Sequence, residues 1–301
     1  MSVRQIKDKK LSTSVFEGAG VKLDRAFGFG NTSQFDPFLL LDDFRNNNPI
    51  DYQKGFPWHP HRGIETITYI LKGSVEHKDS LGNSGELSDG DLQWMTAGSG
   101  ILHQEMPKGN NLGQMHGFQL WANLPSSLKM TSPNYQDVKS SEIKMIKDDD
   151  GTTIKIVIGN YKGYAGVING IASNPQYFDI YVPPNKIKKI PIPTYDNCFA
   201  YIFEGSAQFD YSSKPQGVRI EKSYNNEDYT IKDLSGNKTL ITFDTGDEIK
   251  LLSGNDGVRF LLVSGNPIQE PIAWHGPIVM NTNREIQQAM YELNNGTFIK
   301  E

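Results

Sequence analysis

The sequence predicts an all-β fold, a sandwich or barrel, from three observations. Short apolar runs rich in β-branched and aromatic residues recur along its 301 residues, 29 glycines and 16 prolines punctuate them, and only one stretch has helical periodicity. In chain order the strand-like runs are TITYILKGSVEH (66–77), GDLQWMTAG (90–98), HGFQLWANLP (116–125), TIKIVIGNYKG (153–163), FDIYVP (178–183), CFAYIFEGSAQF (198–209) and GVRFLLVSGNP (257–267). Each is bounded by Gly, Pro, Asn or Asp, the residues that turns demand. The helix is expected near 283–294. Thr282 and Glu285 have capping-box spacing, Ile286, Ala289, Met290 and Leu293 follow at i, i+3, i+4 and i+7, and Gly296 stands where a helix would stop.

Two echoes divide the chain. Thr68 to Ser74 (TYILKGS) matches Ala200 to Ser206 (AYIFEGS) at Tyr, Ile, Gly and Ser, and Gly90-Asp91 is repeated as Gly246-Asp247. This order suggests a duplicated β-domain, with the boundary in the polar stretch from Ser132 to Gly151. The expected division is residues 1–135 and residues 136–301, the second domain ending in the helix.

Composition narrows the function classes. A net charge of −5 and the absence of a basic stripe argue against direct binding to nucleic acid. No run of about 18 apolar residues is present, so no membrane-spanning helix is expected. Cys198 has no intramolecular partner, and no apolar h-region follows MSVRQIKDKK, so a cytoplasmic location is expected, or a nuclear one in a eukaryote.

Five of the six histidines, at 59, 61, 77, 103 and 116, fall within one short window. On an extended strand residues i and i+2 share a face, so His59 and His61 present two imidazoles side by side. Pro60 between them belongs at a strand start, bulge or edge. GILHQEMP then supplies His103 and Glu105 at the same spacing. If the two strands are neighbours, His59, His61, His103 and Glu105 converge as three imidazoles and one carboxylate. Such a set leaves two octahedral positions open, which suits Fe(II), with Mn, Ni, Co or Zn as possible substitutes. Offsetting these positions onto the second half gives Pro191, Pro193, Arg259 and Leu261. The C-terminal domain is therefore expected to be metal-free, and His275 to be a packed or surface residue.

The block HPHRGIETITYILKGSVEHKDSLGNSGELSDGDLQWMTAGSGILHQEMP resembles the signature of the pirins, a branch of the cupin superfamily, and FQLWANLP, FEGSA, PIAWHGPIVMNT and the closing helix resemble later pirin blocks. The resemblance implies a bicupin, two antiparallel β-barrel (jelly-roll) domains of which only the first holds metal, usually iron. Its ligand set transfers onto His59, His61, His103 and Glu105. The position of the additional glutamate found in general cupins is Thr66 here, which leaves Glu65 as at most an outer partner of the site.

The resemblance implies two functions. In the first, a dioxygenase acts on flavonols such as quercetin, the substrate hydroxyl and dioxygen take the open metal positions, and Glu105 is the catalytic base. In the second, the iron senses redox state in a non-enzymatic transcriptional co-regulator that binds a protein partner such as a transcription factor. His77, Gln93, Met95 and Gln119 are candidates for the pocket rim, and Trp58, Trp94, Met95, Met106 and Phe118 for an apolar lining.

Overall fold

The computed structural model describes residues 2–30, 32–168, 171–209, 221–224, 227–230 and 235–300. They are mostly β, arranged as two compact units that interleave along the chain. One unit comprises Met1–Leu11, Met145–Ile156 and Gln176–Ser264, and the other Ser12–Lys144, Val157–Pro175 and Gly265–Glu301.

In the second of these units a seven-stranded sheet has the order Asn134–Val138, Leu92–Thr96, Ile64–Lys72, His116–Asn123, Phe38–Asp43, Val21–Phe27 and Thr13–Glu17. A four-stranded sheet has the order Phe56–His61, Ile101–Pro107, Val75–Asp79 and Ser84–Leu87. Neighbouring strands in both run antiparallel. The period of two sets what faces inward. Along Ile101–Pro107 the residues Ile101, His103, Glu105 and Pro107 are buried and those between them half-buried. Val75, His77 and Asp79 alternate in the same way, as their spacing predicts.

The other unit is built on a nine-stranded sheet. Its long strand Asn197–Phe209 contains the AYIFEGS echo of Ile64–Lys72. Both copies have a left-handed glycine, Gly73 at φ 87° in the bend after Ile64–Lys72 and Gly205 at φ 68° inside its strand. These are left-handed conformations that side chains other than glycine's resist. The echo is therefore a shared backbone requirement as well as a shared pattern.

The expected helix is present at Asn283–Asn294, capped reciprocally by Thr282 and Glu285, with Ile286 and Ala289 buried. By contact it belongs with the histidine-bearing sheets. Its packing partners are the short strands Ala273–His275 and Ile278–Met280, and together they form one apolar cluster with Phe298.

Polar locks hold this C-terminal segment. Arg62, buried, pairs with Glu292 at 2.8 Å, donates to Phe298 O at 2.8 Å and lies 4.1 Å above the Phe298 ring. Lys129, also buried, donates to Gly63 O, Asn123 Oδ1 and Val279 O at 2.7–3.0 Å. A buried cation is tolerated only when its donors are met in this way.

Partial burial raises the Glu292 carboxyl pKa, but bonds from Gln288, Lys300 and Arg62 outweigh it and hold the group near about 2. A depressed carboxyl stabilises the fold above its unfolded pKa, and that contribution is lost as pH falls through the folded value. Thermal stability should accordingly drop between pH 4.5 and 2. Glu292→Gln should be less stable at neutral pH and show a flatter profile across that window, measured by thermal unfolding. An unchanged profile would mean that the Arg62 lock contributes nothing.

Candidate metal centre

The strand Phe56–His61 pairs with Ile101–Pro107 so that His103 stands opposite His59 and Ile101 opposite His61. This register brings three imidazoles together. Ring centroids are 4.9 Å apart for His59 and His61, 4.4 Å for His59 and His103, and 4.9 Å for His61 and His103. One ring nitrogen from each lies within 4.8 Å of the others, a grouping that could hold a metal ion.

Hydrogen bonding fixes which nitrogens face inward. His59 Nδ1 is 2.9 Å from Pro57 O, and His61 Nδ1 is 3.2 Å from Pro277 O. A carbonyl only accepts, so each Nδ1 donates its hydrogen and each Nε2 keeps a lone pair. Those two Nε2 atoms face one another at 3.1 Å. Two lone pairs at that distance repel unless a cation lies between them. A proton on His61 is a poor candidate. Burial, and then the neighbouring His59, push the His61 pKa well below its ordinary value, and burial does the same to His103. Both nitrogens of His103 are buried without a hydrogen-bond partner. The residues thus fit a metal ion by the facing lone pairs of His59 and His61, the neutrality of His61 and His103, and the orphaned nitrogens of His103.

Glu105 takes a different place from the histidines. It follows His103 on the same face, past a register shift against the strand Phe56–His61, and lies outside the group within 4.8 Å. Its Oε1 accepts long bonds from Thr68 Oγ1 at 3.4 Å and Gln119 Nε2 at 3.5 Å. Burial raises its pKa, partly offset by His59, His77, Thr68 and Gln119.

Above the histidines opens a cavity of about 610 Å³ lined by His59, His61, Glu105 and Gln119. Its apolar wall runs outward from His61. Trp121 meets the His61 ring edge-on at 5.1 Å, Trp274 lies 6.1 Å from Trp121, and Phe29 stands 5.4 Å from Trp274. Arg25 also lines the cavity, held by Asp42 through two 2.8 Å bonds and by Glu17 through a third.

Sequence reasoning placed some of these residues and missed others. Trp58 and Gln119 line the cavity as expected. Trp94, Met95 and Phe118 are buried in packing, and Met106 is absent from the lining. Gln93 bonds Asp137, and His77 stacks on Tyr135 with Nε2 3.5 Å from Asp137. His116 packs on Phe118 beside Asp43, while His275 is exposed. Glu65 accepts from Thr96, and strand alternation puts it on the face opposite Thr68, away from Glu105. Trp121 and Trp274 were not anticipated. Trp121 alternates with Gln119 on one strand, a signal available in FQLW, whereas the place of Trp274 depends on a distant segment.

His103→Ala removes an imidazole whose nitrogens have no other partner. Metal affinity should fall by more than about 100-fold, beyond the effect typical of losing only an outer hydrogen-bond partner. Elemental analysis and competition with a chelating dye measure it, and undiminished binding would exclude this centre.

Two family models match the chain, Pirin over residues 20–122 and Pirin C-terminal cupin domain over residues 177–299. A pirin-like protein of Caulobacter vibrioides is 39% identical over 99% of this chain and 100% of its own length. Human pirin is 36% identical over 98% of this chain and 93% of its own. The crystal structure of a quercetin 2,3-dioxygenase from Acinetobacter baumannii superposes with a TM-score of 0.84 at 30% identity, covering 99% of both chains. A sequence alike along its whole length, carrying both matched domains on a cupin-type β architecture, belongs to the pirin family.

Proposed function

We propose that this protein is a metal-dependent dioxygenase acting on flavonols such as quercetin. The observation that carries the reading is the pair of Nε2 lone pairs facing each other 3.1 Å apart at the base of an aromatic-walled cavity. The likeness to the Acinetobacter quercetin 2,3-dioxygenase supports the choice of reaction.

His59, His61 and His103 would hold the ion, with Glu105 as the fourth donor. Three imidazoles and one carboxylate would leave two octahedral positions open, which suits Fe(II) first. When bound, Fe(II) supplies Lewis acidity and one-electron redox chemistry.

The chain's own residues do the remainder. Trp121 and Trp274 offer flat apolar faces to a planar polyphenol and keep water from it. Glu105 takes the proton of the substrate hydroxyl on a carboxylate oxygen, and its burial strengthens it as a base. Gln119 Nε2, already turned to Glu105 and Thr68, donates to that carboxylate and fixes its orientation. Arg25, the only Lys or Arg among the described residues lining the cavity, is engaged by Asp42 and Glu17, which suits a neutral substrate.

Oxygen uptake on adding quercetin tests the proposal, using Fe(II)-loaded protein against chelator-stripped protein. Metal-dependent uptake with equal loss of flavonol is the expected result. No uptake by metal-loaded protein would overturn it and favour the protein-binding role. Glu105→Gln should lose about 10²-fold or more in turnover, the size of a general-base contribution, while retaining bound metal. Full activity in that variant would remove Glu105 from the mechanism.

A further inference from the structure

A second, far smaller chamber adjoins Glu105. It has room for the centre of about one water-sized sphere, about 10 Å³, and shares Phe44, Phe56, Glu105 and Gln119 with the large cavity. Its other walls include Val21, Val75 and Met115, which belong to the apolar cluster packed on that side of the unit. We infer that this chamber is a binding site for an apolar diatomic gas, and that the gas is dioxygen; the choice of gas rests on the dioxygenase reading.

Size comes first. A flavonol cannot enter so small a space, which leaves water or a small gas. Water in a protein interior wants two to four polar partners. The Tyr52 hydroxyl at the chamber's edge already donates to Gly113 O at 3.0 Å. Thr68 and Gln119 are engaged with each other at 3.2 Å and with Glu105 Oε1. Apart from the second carboxylate oxygen of Glu105 and the amide oxygen of Gln119, the rest of the lining is hydrocarbon and thioether. Small cavities with mostly apolar walls take up apolar gases such as xenon. Dioxygen is equally apolar and partitions from water into such surroundings.

Place is the second argument. Phe44, Phe56, Glu105 and Gln119 line both the chamber and the cavity. A gas molecule held there adjoins the proposed base and need not cross a cavity already filled by substrate. The substrate then closes its own side of the site without shutting out the second reactant.

Crystals pressurised with krypton test the chamber directly. A krypton peak between Val75, Met115 and Glu105 is expected. An ordered water bonded to Glu105 and Gln119 in its place, or an empty chamber, would overturn the inference. Val75 lines only the chamber. Val75→Leu should fill it and raise the KM for dioxygen roughly tenfold, the effect of one misfitting methylene in an apolar pocket, with the KM for quercetin unchanged. Val75→Ala should keep both constants and increase krypton occupancy. Equal KM values for dioxygen in wild-type and Val75→Leu protein would count against the site. If the wild-type protein consumes no oxygen with quercetin, the parent reading fails, while the krypton map still decides the chamber by itself.

Discussion

Two lone pairs pointed at each other are the constraint on which the site depends. Left alone, the Nε2 atoms of His59 and His61 at 3.1 Å repel, and burial disfavours a proton on His61. What maintains the arrangement is outside the rings. Pro57 O and Pro277 O each accept from an Nδ1, so both tautomers are set by backbone that no single side-chain change can remove. A centre held by main-chain carbonyls keeps its geometry whether or not the ion is there, and that preorganisation lowers the cost of binding it.

One of those carbonyls comes from far along the chain, which explains the weight of polar locks around the C-terminal segment. Pro277 lies in the turn between Ala273–His275 and Ile278–Met280, and Val279 N donates to Arg62 O, one residue past His61. Arg62 then reaches Glu292 and Phe298, and Lys129 ties Val279 to Gly63. The same segment supplies Trp274 to the cavity wall. Orientation of His61, closure of the aromatic wall and docking of the helix are thus one cooperative structure. Loosening any part of it is expected to reach the others.

The fold class, the helix and the histidine cluster were legible because each depends on local rules. Same-face spacing at His59, His61, His103 and Glu105 needs only the strand period, and Thr282 with Glu285 needs only cap chemistry. The cavity lining was less legible. Trp94, Met95 and Phe118 are as apolar as Trp121, and what separates core from wall is which face of which strand meets the opening. Glu65 shows the same limit, since its neighbour Thr66 has the parity of Thr68 and Glu65 has the opposite one. The expected division near residue 135 assumed that sequence neighbours pack together. In the structure Asn134–Val138 pairs with Leu92–Thr96, and the chain's last helix returns to the histidine-bearing sheets.

The contrast between the two repeats says what each half is required to keep. Gly73 and Gly205 both retain a left-handed backbone conformation, one in the bend after Ile64–Lys72 and one inside the strand Asn197–Phe209, which any other side chain would resist. At the positions offset from the ligands the second copy has Pro191, Pro193, Arg259 and Leu261. Pro191 ends the strand Ile187–Pro191, and Arg259 is used in a bidentate pair with Asp179 at 2.7 and 2.9 Å. Those two positions serve a strand end and an ion pair. Backbone geometry is demanded by the fold and ligand geometry by chemistry, so the echo persists at the glycine and not at the histidines.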